Sequence, residues 1–226
     1  MKEITDYEKL LIEFKAAKYK FIKFDSLVPE KNRVLLRHDI DCDVTLAVKM
    51  AEVEHALGVN STYFIFIRSR SYNVLERKNA ASIMKIKKLG HWISLHYDPS
   101  MYKDVSRGVA YELDLFTEIF GERPYVISFH SPPKDVVDLD LLECRHTYQP
   151  RYFTDIAYIS DSRGRFSYGH PLKSQAFKEG KTLQLLIHPI WWMTGQESPG
   201  KALNWLAARR AVEMKDYFFE MNKMQT

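Results

Sequence analysis

The sequence predicts an α/β fold in which β-strands and α-helices alternate along one domain. Short β-prone runs such as 61–67 (Ser-Thr-Tyr-Phe-Ile-Phe-Ile) alternate with amphipathic helical patterns. Several of these patterns stop at a glycine, as at Gly58, Gly90 and Gly121. Acidic residues and histidines recur where the predicted strands end. Six or seven parallel βαβ units of this kind suit either a barrel or an open wound sheet.

The individual elements follow from apolar periodicity. Leu10, Leu11 and Phe14 have helical spacing, 19–24 alternates like a half-buried strand, and 34–36 is a continuous apolar run. The same criteria predict helices at 6–17, 45–57, 79–89, 105–120, 139–143 and 201–221, and strands at 19–24, 33–38, 61–67, 91–96, 125–130, 156–160 and 183–188.

Length and composition indicate one domain over residues 1–226, because 226 residues that are 46% hydrophobic can bury one large core. We expect an N-terminal helix and strand within 1–30, a motif-bearing region over 33–192 and a closing helix within 200–222. The net charge of +4 is scattered, so no nucleic-acid surface is predicted.

The sequence also predicts a cytoplasmic protein. Residues 1–6 are polar and carry no signal-peptide core, and no apolar run is long enough for a transmembrane segment. The two cysteines, Cys42 and Cys144, receive structural roles and fit a reducing compartment.

The segment 37–43 (Arg-His-Asp-Ile-Asp-Cys-Asp) places three carboxylates between a buried strand and a helix. Side chains two apart on a strand share a face, so Asp39 and Asp41 could enter one pocket while His38 points the other way. Two close carboxylates repel each other unless a cation or a proton relieves them. For Asp43 we favour the simpler role of capping the following helix.

The polar strand ends form one predicted cluster. Asp39, Asp41, His96, His130, Asp161 and His188 each lie at or just after the end of a predicted strand. In a parallel barrel these ends converge on one face, where active sites are built. Imidazole and carboxylate together suit zinc or a related first-row metal such as cobalt, nickel or iron.

Several of these positions have alternative interpretations. Asp98 could be a turn residue before Pro99, a carboxylate that orients His96, or a third metal ligand, and we favour the turn. His130 could complete the metal site, orient a carboxylate or cap its proline turn. Asp161 could form a turn or pair with a catalytic histidine.

His188 is the histidine that we select as an acid–base group. It precedes a proline and the pair Trp191 and Trp192, which indicates a shaped, partly apolar pocket, and one of the two tryptophans is expected to pack under the closing helix. The remaining histidines receive structural interpretations: His38, His55, His91, His146 and His170. No Gly-x-Ser-x-Gly elbow and no glycine-rich phosphate loop occurs in the sequence.

The ordered set of motifs resembles the polysaccharide deacetylase family (carbohydrate esterase family 4, the NodB-homology domain). The motifs are 39–41 (Asp-Ile-Asp), 90–96 (Gly-His-Trp-Ile-Ser-Leu-His), 129–133 (Phe-His-Ser-Pro-Pro), Asp161 and 185–188 (Leu-Leu-Ile-His), and the resemblance covers about 33–192. The first motif is most similar to the branch with Arg-His-Asp-x-Asp. The resemblance implies a distorted (β/α) barrel with about seven parallel strands.

The resemblance also implies an activity, the removal of an acetyl group from an N-acetylated sugar with a divalent metal. It assigns Asp39 as general base, Asp41 and His96 as metal ligands, His188 as general acid and Asp161 as its partner. Leu185 or Leu186 would wall the acetyl pocket, and Tyr97, Pro132, Trp191 and Trp192 are further candidates for substrate contact.

The sequence departs from the family pattern at three places. Ser100 stands where the second metal histidine is usual, the usual arginine of the third motif is replaced around His130, and Phe166 stands near the usual fourth-motif tryptophan. His130 or Asp98 would then supply the third metal ligand, and we assign His130.

The expected partner is an N-acetylated sugar, such as a nucleotide-linked or lipid-linked precursor of a surface glycan. Two other functions stay open on sequence alone: hydrolysis of another small amide or formamide, and a catalytically silent carbohydrate-binding or scaffold protein. The sequence does not predict an oligomeric state.

Overall fold

One parallel sheet organises the computed structural model, which describes residues 4–28, 30–132, 134–141, 143–167 and 169–223. Its strands are β1 (Lys20–Phe21), β2 (Arg33–Ile40), β3 (Thr62–Phe66), β4 (Trp92–Tyr97), β5 (Val126–Phe129), β6 (Arg145–His146), β7 (Ala157–Ser160) and β8 (Leu183–Leu186). Seven of them follow the order β6-β5-β4-β3-β2-β8-β7, and β1 pairs with the start of β2. Every strand pair is parallel. The sheet curls into a half-barrel, which confirms the predicted distorted (β/α) barrel with about seven parallel strands.

Helices flank this sheet, and several of them begin at a side-chain cap. They are α1 (Ile4–Ala16), α2 (Val44–Ala56), α3 (Arg77–Lys88), α4 (Val105–Phe120), α5 (Pro150–Phe153), α6 (Gln175–Lys178), α7 (Pro189–Met193) and α8 (Pro199–Lys223). Asp43 caps α2 as predicted, because its carboxylate accepts the Leu46 N–H at 3.0 Å. Gly121 ends α4 at φ +76°, a left-handed conformation that favours glycine.

The two faces of β2 have different environments. Val34 and Leu36 face outward and pack with Leu10 of α1 in one apolar cluster. Leu35 faces inward and packs with Phe64 and other residues that fill one end of the half-barrel. The inward face becomes polar toward the carboxyl end of the strand, where Arg37 and Asp39 follow Leu35 at alternate positions. The fold therefore directs polar side chains toward the strand ends.

Two of the predicted elements differ from the structure. The strand predicted at 19–24 is limited to Lys20–Phe21, because a 3₁₀ turn begins at Phe24. The helix predicted at 139–143 is wrong for the residues described there, 139–141 and 143, since Leu141 is instead buried in the core as part of an irregular segment. Among the described helices, none combines the length and apolarity needed to cross a membrane.

Candidate active site

Three side chains at the carboxyl ends of the strands form a candidate metal site. Asp41 follows β2, His96 belongs to β4 and His130 follows β5, and one ligand atom from each lies within 4.8 Å of the other two. Asp41 Oδ1 is 3.1 Å from His96 Nε2 and 3.4 Å from His130 Nδ1. One carboxylate and two imidazoles are a donor set found in zinc sites.

His96 is already oriented for metal binding. Its Nδ1 lies 3.1 Å from the carbonyl oxygen of Ser128, which can only accept a hydrogen bond, so Nδ1 carries the proton. Nε2 then presents its lone pair toward Asp41. The ring is 1% exposed and packs against Phe66 of β3, the strand between β2 and β4.

His130 lies at the open side of the site. Its backbone N–H donates to the carbonyl of Tyr97 at 2.8 Å, which extends the β4–β5 ladder and holds the residue in place. The His130 ring contacts Phe66, and the Asp41 carboxylate raises the pKa of the imidazole. In turn, burial raises the pKa of Asp41, but the hydrogen bond from His130 and the nearby imidazoles of His96 and His188 outweigh burial and hold that pKa well below its usual range. Asp41 is therefore an anion with two imidazoles aimed at it.

Asp39 lies beside the ligand set and pairs with a buried arginine. Its Oδ2 is 3.9 Å from His96 Nε2 and accepts hydrogen bonds from Arg37 Nη2 at 2.8 Å and Ser128 Oγ at 3.0 Å. Its Oδ1 is buried without a hydrogen-bond partner among the described residues. An orphaned carboxylate oxygen next to two imidazoles fits a site that receives a cation or a polar ligand.

His188 and Asp161 form a second pair at the same face. Asp161 Oδ1 accepts the Nδ1–H of His188 at 2.7 Å and also its backbone N–H at 3.0 Å. Asp161 Oδ2 accepts the indole N–H of Trp192 at 2.7 Å. His188 Nε2 points into the site, 3.7 Å from Asp41 Oδ2. Burial lowers the pKa of His188, but Asp161 outweighs burial and raises this pKa to about 9.

The position of the usual second metal histidine lies outside the ligand set. Ser100 is exposed in a 3₁₀ turn over Pro99–Met101. Asp98 caps that turn, since its carboxylate accepts the Ser100 N–H at 2.9 Å, so the favoured turn role of Asp98 is confirmed. His130, which directly follows β5, joins Asp41 and His96 instead.

The predicted substrate-contact residues differ in exposure. Pro132 and Trp191 are half-buried, whereas Tyr97, Leu186 and Trp192 are buried. Trp192 packs against the rings of Tyr7 and Phe166 beneath Asp161. Tyr97 donates its hydroxyl to the Val105 carbonyl at 3.2 Å. Substrate contact by these five residues stays a prediction.

Sequence reasoning missed Arg37, which is fully buried inside the half-barrel. Besides Asp39, its guanidinium donates to Gln184 Oε1 and Ser128 Oγ, each at 2.9 Å. The available signal was its place in an apolar strand two residues before Asp39, on the same face. His38, by contrast, points away from Asp39 as expected, and its Nε2 lies 2.6 Å from buried Glu54 of α2.

Comparison with known proteins gives a structural likeness only. The sequence matches no protein-family model and no curated protein. The peptidoglycan deacetylase PdaC from Bacillus subtilis aligns over 88% of this chain and 100% of its own, with 10% identity and a TM-score of 0.50. The chitin deacetylase from the fungal pathogen Colletotrichum lindemuthianum aligns over 83% of this chain and 88% of its own, with 14% identity and a TM-score of 0.50. At the level of the fold, the resemblance to the polysaccharide deacetylases is therefore confirmed.

Proposed function

We propose that the protein is a metal-dependent amide hydrolase that removes the N-acetyl group from an amino sugar of a surface polysaccharide or its precursor. The observation that carries the proposal is the convergence of Asp41, His96 and His130 next to two groups suited to proton transfer, Asp39 and His188. The fold shared with a peptidoglycan deacetylase and a chitin deacetylase supports the same reaction class.

Asp41, His96 and His130 would hold the metal ion. The mixture of one carboxylate and two imidazoles makes zinc our first choice, with cobalt, nickel or iron as alternatives. A bound divalent cation would act as a Lewis acid toward the amide carbonyl and would lower the pKa of a neighbouring water. His96 contributes a ring fixed by Ser128, so little ordering is needed when the cation binds.

Asp39 would act as the general base. Burial raises the pKa of its carboxyl, but Arg37 and His96 outweigh burial, so this pKa lies below its usual range and the group is ionised at neutral pH. Arg37 and Ser128 occupy Oδ2, which leaves Oδ1 to take the proton from the attacking water.

His188 would act as the general acid. With a pKa of about 9 it is protonated at neutral pH, and its Nε2 points toward Asp41. Asp161 holds Nδ1, so Nε2 is the nitrogen that would protonate the leaving amine as the carbon–nitrogen bond breaks. Water and the acetamide group would then yield acetate and a free amine, with one proton taken by Asp39 and one given by His188.

The substrate assignment rests on chemistry near the site. Trp191 offers a half-buried aromatic plane of the kind that stacks on sugar rings, and Leu186 lies on β8 two residues before His188. We propose a cytoplasmic nucleotide-linked or lipid-linked precursor as the natural substrate.

Acetate release tests this proposal. The zinc-loaded protein would be assayed on N-acetylchitooligosaccharides, UDP-N-acetylglucosamine and an N-formyl amino sugar. We expect wild type to release acetate, and Asp39→Asn and His188→Gln each to lose activity by at least ~100-fold. Asp98→Asn is the matched control, because asparagine can still cap the turn at Ser100 and activity should persist.

The assay also separates the alternatives. Formate released without acetate would indicate a different small amide as substrate. A folded, zinc-bound wild type without activity on any of these compounds would contradict the hydrolase and favour a silent carbohydrate-binding protein.

A further inference from the structure

The loop that carries Asp41 is tied to the far end of the chain through Asp43. The Asp43 side chain is fully buried, and its Oδ1 caps α2 by accepting the Leu46 N–H at 3.0 Å. Its Oδ2 accepts hydrogen bonds from Arg210 Nη2 at 2.8 Å and from Arg209. Both arginines belong to α8, so one carboxylate joins the start of α2 to the C-terminal helix.

These arginines are ordered on their own helix. Glu213, one turn further along α8, pairs with Arg209 Nε at 3.3 Å and with Arg210 Nη1 at 2.8 Å. The Arg209 guanidinium also lies over the Trp205 ring at 5.0 Å. Because the cations are already positioned, little side-chain entropy is lost when they bind Asp43.

The connection reaches Asp41 through a very short segment. Only residues 41–43 separate β2 from α2. Arg210 Nη2 also lies 3.4 Å from the carbonyl oxygen of Cys42, the residue between the two aspartates. Two residues of extended chain span at most about 7 Å, so the anchored Asp43 restricts the positions that the backbone of Asp41 can take. Asp41 in turn must stay close to both His96 and His130.

We propose that Arg209 and Arg210 are positioning residues for the metal centre, and that they hold Asp41 in register with His96 and His130 by anchoring Asp43. The C-terminal helix would then support the ligand set. This inference rests on the proposed metal-dependent function.

The test measures zinc affinity of the metal-free protein by competition with a chromophoric chelator. We expect Arg209→Gln/Arg210→Gln to weaken zinc binding roughly tenfold, in the range seen for residues that orient metal ligands. Lys201→Gln/Lys215→Gln is the control, because it removes the same charge from exposed positions of α8 and should leave the affinity unchanged. Arg210→Lys should recover part of the affinity of Arg210→Gln.

The variant Ile83→Val tests whether a loss of stability alone weakens zinc binding. It is a mildly destabilising core change on α3, distant in sequence from the loop. That variant should bind zinc like wild type. Hydrogen exchange at the amides of 41–43 in the metal-free protein should accelerate in the arginine variants and not in Ile83→Val. If the double variant does not fold, Arg210→Gln alone serves for both measurements.

Two results would overturn the inference. If wild type binds zinc and the arginine variants bind it equally well, the positioning role is wrong while the proposed function stands. If wild type binds no metal, the metal centre itself is wrong, and the positioning role fails with it.

Discussion

At the scale of single residues, the pairing of Arg37 with Asp39 sets the charge of the proposed base. Burial alone would raise the pKa of the Asp39 carboxyl, but the guanidinium 2.8 Å away outweighs burial. Arg37 is itself fixed, since it lies over the rings of Phe64 at 5.5 Å and Tyr148 at 5.2 Å. Because the pKa of Asp39 is lowered in the folded state, its ionisation stabilises the folded protein at pH values above about 3.9, the ordinary pKa of an aspartate. This stabilisation is lost as the pH falls through the pKa of Asp39 in the folded protein.

Arg37→Gln is therefore expected to raise the pKa of Asp39 and move the acid limb of kcat/KM to higher pH. The free energy of unfolding should also fall by roughly 3–5 kcal/mol, because an uncompensated buried charge remains. The pH–rate profile and urea unfolding check both effects.

The control for this change is Arg33→Gln, at the start of the same strand, where the arginine pairs with exposed Glu30. Arg33→Gln should leave the acid limb of the kcat/KM profile at its wild-type pH. An acid limb that is identical in wild type and Arg37→Gln would mean that Arg37 does not control Asp39.

Asp161→Asn is expected to lower the pKa of His188 from about 9 toward or below the ordinary imidazole value of about 6.5. The reason is that burial, which lowers this pKa, would no longer be opposed by the Asp161 charge. Histidine ring signals followed by NMR in the metal-free protein measure the change, with His188→Gln to assign the signal and exposed Asp155→Asn as the control. A pKa that stays near 9 in Asp161→Asn would refute the pairing.

The same raised pKa affects stability in a defined pH window. The folded state holds the His188 proton more tightly than the unfolded state does. The contribution of His188 to stability is therefore complete below about pH 6.5 and is lost as the pH rises through about 9.

At the scale of elements, α4 carries a buried carboxyl that the proposed chemistry does not use. Glu112 accepts the Tyr102 hydroxyl at 2.9 Å, which ties α4 to the loop after β4. Burial raises the pKa of Glu112 to about 7. Between about pH 4.5 and 7 the folded protein therefore binds more protons than the unfolded chain, and stability falls as the pH rises.

Glu112→Gln should remove this fall of stability with rising pH, because glutamine keeps an acceptor for the Tyr102 hydroxyl and has no charge to bury. Because the pKa of Glu112 is raised from 4.5 to about 7 and one pKa unit corresponds to about 1.4 kcal/mol, the variant should gain about 3 kcal/mol of stability relative to wild type between pH 4 and pH 8. Urea unfolding at both pH values measures this, and exposed Glu118→Gln on the same helix serves as the control. Equal pH dependence of stability in wild type and Glu112→Gln would show that Glu112 is not the source of this dependence.

Element prediction succeeded where the local sequence signal is strong. The helix at 105–120 has the predicted bounds because it buries one face at helical spacing. The strand predicted at 61–67 forms over Thr62–Phe66, a β-prone run that is buried at every position. The segment 139–143 is too short for periodicity to decide, and its described residues, 139–141 and 143, are irregular, with Leu141 buried in the core. The two-residue strand β6 pairs only Arg145 and His146 with β5, which no local pattern could predict.

At the scale of the whole molecule, the candidate site depends on parallel topology. The rule that parallel strand ends converge was enough to place Asp41, His96 and His130 together from sequence. The contacts that support them were not predictable in this way. Arg37 with Gln184, and Asp43 with Arg210, join chain segments that are far apart in sequence, and no spacing rule relates them.

The Asp41–His96–His130 metal centre is tested most directly by isothermal titration calorimetry of zinc binding to wild type, His96→Ala, His130→Ala and Asp98→Asn. We predict about one zinc ion per chain for wild type and Asp98→Asn, and affinities at least ~10-fold weaker for both histidine variants. A wild type that binds no zinc, or a His130→Ala variant that binds as tightly as wild type, would contradict the Asp41–His96–His130 metal centre.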